Sequence, residues 1–342
     1  MVDIKNLNLK ELKELLGKWG FSGFHSRQIF YWIYKKKVLD FSEMTDLPLE
    51  LRQKLKENFY ACSLKLVKRL LSKDKTEKFL LELEDKSYIE AVMIPAQKRF
   101  TGCVSTQVGC KFACRFCASG LLGFKRNLTS TEILDEVLIL QKNSLAGQIT
   151  HLVFMGIGEP LANYENLLRA IRIINSSDAF NIGARKITIS TCGIIPGIKK
   201  LLEENLQIEL SISLHSVDDK IRTLLMPVNK IYPLAELISA CKEYIEKANR
   251  QITFEYILIK DVNSDLPSAR KLTNILQDLK LCKVNLIVAN PIRELNIESP
   301  SKLEVLLFRD YLLKAGINAT LRKPRGQDIQ AACGQLRLKY EK

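Results

Sequence analysis

Three cysteines, Cys110, Cys114 and Cys117, stand in the run Gly109-Cys-Lys-Phe-Ala-Cys-Arg-Phe-Cys-Ala with C-x3-C-x2-C spacing. Thiolates are the usual ligands of iron–sulfur clusters, and four of them close every iron of a cubane. Three leave one iron open, which marks a metal site that reacts rather than one that braces a fold. The spacing therefore predicts a cluster with chemistry at its remaining iron. A structural zinc site would need a further Cys or His from elsewhere, and such sites come as paired Cys-x2-4-Cys knuckles, of which this sequence has no second.

Two more cysteines sit in chemically distinctive surroundings. Cys103 precedes the cluster loop, and Cys333 lies in Ala331-Ala-Cys-Gly-Gln335, among small residues and downstream of Arg325, Gln327 and Asp328. A small, flexible, basic setting leaves a thiol accessible and favours its thiolate. Cys62, Cys192, Cys241 and Cys282 read instead as packing residues. In Met155-Gly-Ile-Gly-Glu159 the glycines allow backbone to approach a ligand closely, and Glu159 can accept hydrogen bonds from an ammonium group.

These residues need a scaffold, and the chain is long enough to provide one. Its 342 residues are 46% hydrophobic, ample for one large core with a smaller appended module. The segment 1–60 reads as a small helical accessory domain: Leu9, Leu12, Leu15 and Leu16 share a face, and Ile29, Phe30, Trp32 and Ile33 resume the period. Residues 61–95 read as a β-hairpin connector. Residues 96–328 alternate strands and helices, with strands expected at 149–154, 186–190, 208–213, 252–258, 283–288 and 318–322. Helices are expected at 130–142, 164–174, 196–204, 233–248, 268–279 and 301–315. That alternation predicts an α/β fold, an incomplete (β/α)6 barrel with a parallel sheet and right-handed crossovers. Such barrels carry their sites at the C-terminal ends of the strands. Four polar, Gly-bearing or His-bearing segments fall there: 155–159, 190–193, 213–215 and 290–291. Residues 329–342 form a tail bearing Cys333.

The formal charge of +14 favours a polyanionic partner, with nucleic acid the first candidate. Arg115, Lys125, Arg126, Arg322, Lys323 and Arg325 are the expected backbone contacts. No stretch approaches the roughly 20 apolar residues of a membrane span, and no signal peptide is apparent, so a cytoplasmic location without a membrane partner is expected. Nine cysteines in such a compartment point to metal or redox chemistry rather than a disulfide framework.

The cysteine spacing resembles the signature of the radical S-adenosylmethionine (SAM) enzymes, and the surrounding text narrows it. Cys103-Val-Ser-Thr-Gln-Val-Gly-Cys110, Gly123-Phe-Lys-Arg-Asn-Leu128, Phe154-Met-Gly-Ile-Gly-Glu-Pro160, Ser213-Leu-His215, Leu225-Met-Pro227 and Ala331-Ala-Cys-Gly-Gln335 together resemble the RlmN/Cfr family of radical SAM RNA methyltransferases. The resemblance runs over nearly the whole chain. It implies a [4Fe–4S] cluster on Cys110, Cys114 and Cys117, with SAM on the open iron and two SAM molecules used per methylation. It assigns Gly158 and Glu159 to the SAM amino group, and Ser190, Ser213, Leu214, His215 and Asn290 to its other parts.

For the reaction, the resemblance makes Cys333 the methyl acceptor, Cys103 its partner in a transient disulfide, and Glu90 the proton acceptor. The implied product is an adenine methylated at carbon 2 in 23S ribosomal RNA, and at position 37 in transfer RNAs. The Cfr-type alternative methylates carbon 8 of the same ribosomal adenine. A non-enzymatic alternative is an RNA-binding iron–sulfur redox sensor, which would have no need of Cys333. The expected partners are 23S rRNA, tRNA and a flavodoxin-type electron donor, with the protein acting as a monomer.

Overall fold

The computed structural model of the chain describes residues 1–121, 123–290 and 297–336. Pro291, named among the expected strand-end residues, and the last residues of the tail lie outside that range.

One ten-stranded sheet organises the molecule, and its spatial order repeats the chain order. Its strands are β1 (Lys65–Leu71), β2 (Glu77–Glu82), β3 (Tyr88–Ala96), β4 (Arg99–Cys103), β5 (His151–Phe154), β6 (Ile187–Thr191), β7 (Glu209–Ser213), β8 (Ile252–Leu258), β9 (Cys282–Val288) and β10 (Ala319–Arg322). From β4 to β10 all pairings are parallel. The first three pairings, β1 to β4, are antiparallel. The expected connector hairpins therefore extend the barrel sheet itself. Parallel strands need helical crossovers, whereas short charged turns such as 73–75 and 84–86 suffice for hairpins.

The crossovers are α4 (Ser130–Asn143), α5 (Tyr164–Asn175), α6 (Ile195–Glu203), α8 (Leu234–Ala248), α9 (Leu266–Leu276) and α10 (Lys302–Lys314). All six fall within a few residues of the expected spans. A short helix, α7 (Asp219–Leu225), precedes α8 and was not legible in the sequence. Its start is fixed by the Asp218 carboxylate, which accepts from the Lys220 and Ile221 amides at 3.1 and 3.3 Å. Thr129 and Ser301 form complete capping boxes with Glu132 and Glu304, setting the starts of α4 and α10.

Edge strands β1 and β10 do not pair with each other, so the barrel is incomplete. The segment after β10 spans that gap. Asp328 accepts from the Ser72 hydroxyl at 2.5 Å and the Lys73 amide at 3.1 Å, and Asp74 accepts from the Gly326 amide at 3.0 Å. The Lys78 ammonium donates to the Gln330 carbonyl at 3.2 Å. Val92, Cys103, Val153 and Ile157 then bury Ala331 and Leu336 in a separate apolar cluster.

The amino-terminal module comprises α1 (Leu9–Lys18), α2 (His25–Phe30) and α3 (Leu49–Asn58). Leu12, Leu16, Ile29 and Ile33 form its core, as their period required. It is fastened to the barrel by buried Lys5, whose ammonium lies 2.7 Å from Asp3 and 3.0 Å from Asp135 of α4.

Candidate active site

The cluster loop leaves the sheet after β4. Its entrance is braced by a two-stranded ribbon, Gln107–Gly109 against Phe124–Asn127. Gly109 adopts φ +73°, and a β-carbon there would lie 1.7 Å from the Gly123 carbonyl oxygen, so only glycine fits. Beyond it, Cys110, Cys114 and Cys117 line one cavity of about 930 Å³ at the C-terminal end of the parallel strands.

Ser190, Ser213, His215, Gly158 and Glu159 line the same cavity, as expected, and Phe116, Phe154 and Met226 add apolar walls. No three His, Cys, Asp or Glu side chains among the described residues are gathered as around a single ion. The cysteine thiols nonetheless face a common space. Burial pushes the Cys110 thiol up to about 12 and the Cys114 thiol well upward, with Cys117 adding to both shifts. Burying three mutually repelling sulfurs disfavours their thiolate form, and bound cationic iron reverses that balance. Soft thiolates suit an iron–sulfur cluster, so the donor set fits the implied group.

The ligand-facing loops are held from behind. The Ser105 hydroxyl donates to the Glu90 carbonyl and accepts from the Ile157 amide, both at 2.9 Å. Gln107 accepts from the Glu159 amide at 2.9 Å. Glu159 is buried, and its two oxygens accept from the Leu161 and Cys192 amides at 3.0 and 2.7 Å. Each oxygen retains a lone pair for an ammonium ligand. Cys192, read from sequence as a packing residue, packs in the core and also forms part of the cavity wall.

Arg222, fully buried, was not singled out by the sequence. It donates to the Cys192 and Leu214 carbonyls at 3.0 and 3.2 Å, tying together the loops after β6 and β7, and to Asn229 at 2.6 Å. Its signal was an arginine inside the apolar text before Leu225-Met-Pro227. Leu214 itself packs in the core, so only its backbone serves the site. His215 has φ +57°, and its Nδ1 accepts from the Ile257 amide at 3.0 Å. Burial lowers the ring to about 3, keeping it neutral.

A second, larger cavity of about 1900 Å³ runs along the inner face of the sheet. Cys103 and Cys333 both line it, and Cys333 lines the cluster cavity as well. Burial, then the neighbouring Cys333, pushes the Cys103 thiol up to about 12. Asn290 lines this second cavity rather than the first: its Nδ2 donates to the Cys333 carbonyl at 3.2 Å, and its Oδ1 accepts from Gln327 at 2.7 Å. Its side chain grips the Cys333 segment.

Glu90 borders neither cavity. It is buried on β3 and paired with Lys78 at 2.9 Å. It keeps the sheet face of Val92, whose partner in register is Cys103.

Arg99, Arg185, Lys186, Lys283, Arg322, Lys323 and Arg325 line the second cavity, against the carboxylates Glu209 and Glu255. Three of these cations were expected as RNA contacts, and four were missed because they are dispersed over β4, β9 and the start of β6. Glu255, beside Arg322, was also missed; a single carboxylate in the apolar run of β8 was its signal. Lys125 and Arg126 do not form a free basic surface. Arg126 pairs with Asp85 at 2.9 Å and Glu132 at 2.8 Å, and Lys125 lies 3.4 Å from Asp85.

Comparison with known proteins agrees with this arrangement. Residues 104–271 match the Radical SAM superfamily, and residues 2–61 match the Ribosomal RNA large subunit methyltransferase N-terminal domain. A Thermoanaerobacter sp. (strain X514) protein described as a "Probable dual-specificity RNA methyltransferase RlmN" is 46% identical over 100% of this chain and 99% of its own length. A Clostridium novyi protein of the same description is 46% identical over 99% of both chains. The crystal structure of a radical SAM methyltransferase from Sphaerobacter thermophilus superposes with a TM-score of 0.95 at 40% identity, covering 98% of this chain and 99% of that one.

Proposed function

This chain belongs to the RlmN family of radical SAM RNA methyltransferases, and from that premise we propose that it methylates carbon 2 of adenine in 23S rRNA and in tRNA, by way of Cys333. One observation carries the reading: Cys333 lines both the cluster-cysteine cavity and the basic cavity that holds Cys103. A thiol at that junction can face a methyl donor on one side and an RNA base on the other.

Cys110, Cys114 and Cys117 would hold a [4Fe–4S] cluster, which would supply the electron for reductive cleavage of SAM to a carbon-centred hydrogen abstractor. Glu159 receives the SAM ammonium group, and Ser190, Ser213 and His215 surround the rest. Neutral His215 adds no positive charge beside a sulfonium. Cys333 is the nucleophile that takes a methyl group as a thioether. One hydrogen atom is removed from that S-methyl group by the SAM-derived radical, its carbon bonds to adenine carbon 2, and the adduct gives up one electron, which the iron–sulfur group would take back, so the RNA is held covalently on Cys333. Glu90 is assigned the proton lost from carbon 2, with Lys78 as its countercharge. Cys103 attacks the Cys333 sulfur, the departing methylene carbon takes a proton to become the methyl group of the freed RNA, and the Cys103–Cys333 disulfide left behind must be reduced by two electrons from an external thiol.

The unpaired nucleotide reaches Cys333 from the basic cavity, whose cations neutralise its phosphates. The protein is assigned a monomeric, cytoplasmic role, with an electron-transfer flavoprotein as donor.

The test is anaerobic reconstitution with iron and sulfide, then incubation with SAM, a reductant and a 23S rRNA fragment deuterated at adenine carbon 2 or carbon 8. Loss of deuterium from carbon 2 in the nucleoside mass spectrum supports the reading; loss from carbon 8 establishes Cfr-type specificity instead. Cys333→Ala is expected to abolish product while retaining the cluster's visible absorbance. A redox sensor would yield no methylated nucleoside with either protein.

A further inference from the structure

The loop carrying the cluster cysteines has an outer side as well as an inner one. Phe112, between Cys110 and Cys114, lines the cluster-cysteine cavity and also a separate hollow of about 800 Å³. Its side chain is thus a wall common to both. Ala162, Ile194, Val228, Ile231 and Tyr232 are among the other walls, and Lys111 is the single charged residue lining the hollow among the described residues. Ile231 is 64% exposed although apolar, and Lys230 and Arg115 are exposed close by in sequence. The loop is fixed on this side by the Arg115 amide, which donates to the Leu225 carbonyl at 2.9 Å.

We infer that this hollow is the docking site of an acidic electron-transfer flavoprotein, whose electron crosses the Phe112 wall to the cluster. The inference rests on the function proposed above, which needs one electron per cleavage of SAM. One electron leaves the reduced flavin, which is oxidised by that amount, and the oxidised cluster gains it; no covalent bond on this chain forms or breaks. An apolar hollow bordered by the Lys111 cation complements an acidic partner that exposes the edge of its flavin, and opposite charges steer the encounter. Electron-transfer complexes bury little surface and are short-lived, so a small hollow suffices. RNA is a poorer occupant, because one lining cation offers little to a chain of phosphates. Seven cations line the cavity assigned to RNA.

The experiment follows cluster bleaching by stopped-flow absorbance, with reconstituted full-length protein. The reductants are a flavodoxin in its fully reduced state and, separately, dithionite. Ile231→Glu and Lys111→Glu are each expected to slow flavodoxin-driven bleaching by about tenfold, and to flatten its salt dependence in the Lys111 variant. Dithionite rates should match the unaltered protein. A second readout needs no cluster: flavin fluorescence titration with the metal-free chain should weaken in both variants. Unchanged flavodoxin rates and titrations would overturn the docking site. So would a loss of RNA affinity in the variants with flavodoxin binding intact, or a change in molecular mass that marks the face as a self-contact. Failure of the underlying reading looks different, since reconstituted protein would then have no cluster absorbance to bleach.

Discussion

His215 illustrates how one side chain is committed to a single state. Its Nδ1 accepts the Ile257 amide, its carbonyl accepts from Asn263 at 2.6 Å, and Phe116 lies edge-on with ring centroids 4.4 Å apart. Protonation would break the first bond inside a buried site. The folded ring titrates near 3, against 6.5 for a free one. The unfolded chain therefore binds the proton first on acidification. Stability present above pH 6.5 should fall by up to about 1.4 kcal/mol per pH unit between 6.5 and 3. Thermal unfolding of the metal-free protein checks this, and His215→Gln should flatten the slope.

Cys103 yields a kinetic counterpart. With its thiol raised to about 12, the reactive thiolate is scarce at neutrality. On the proposed mechanism, release of RNA from Cys333 should accelerate roughly tenfold per pH unit between 7 and 9. Quench-flow gels of the covalent adduct measure this, and Cys103→Ala should accumulate the adduct at every pH. Lys78 is a structural hinge of the same region, since its ammonium serves both Glu90 and Gln330. Lys78→Met leaves a buried carboxylate without its countercharge and should cost about 3–5 kcal/mol in chemical denaturation.

Strand ends and the loops beyond them set the site, and their restraints are backbone restraints. Gly158 has φ +106°, and a β-carbon there would meet Gln107 at 2.5 Å. Gly158→Ala should therefore distort the Glu159 loop and weaken SAM binding by isothermal titration at least about tenfold, since strain of roughly 1–3 kcal/mol must be absorbed there. Arg222→Lys should be nearly as damaging to SAM binding as Arg222→Met, because a single ammonium cannot reproduce a guanidinium fork that reaches four acceptors.

The barrel strands and crossover helices were readable because each carries its own periodicity, and five of the nominated ligand residues share one cavity lining with the three cluster cysteines. What escaped was non-local. The position of Asn290 depends on where the Cys333 segment lies, the pairing of Glu90 on a lysine one strand away, and the role of Arg222 on carbonyls from two other loops. None of these contacts leaves a trace in sequence spacing.

The accessory domain and barrel meet at a buried charge cluster. Lys5 lies between Asp3, which precedes it on the module, and Asp135 on α4, and burial and both carboxylates act on its ammonium, the net effect being a raised pKa. Lys5→Met would leave two buried acids together, so a loss of about 3–5 kcal/mol is expected, with limited proteolysis cutting first near residue 61. The basic cavity gives an RNA prediction. Arg99→Glu with Lys283→Glu should weaken RNA binding and lower the slope of log affinity against log salt by about two, while Lys125→Glu, already facing Asp85, should change it little.

The Cys333 segment is moored at both ends. Upstream it is bonded to the turn between β1 and β2; downstream Gly334 accepts from the Ala118 amide at 2.7 Å, and Leu336 accepts from the Ser119 hydroxyl at 3.0 Å. Ala118 and Ser119 directly follow Cys117. A misfolded cluster-cysteine loop would thus cast off the far anchor of Cys333, the proposed methyl acceptor, coupling quality control of the proposed metal centre to readiness for methylation without any separate sensor.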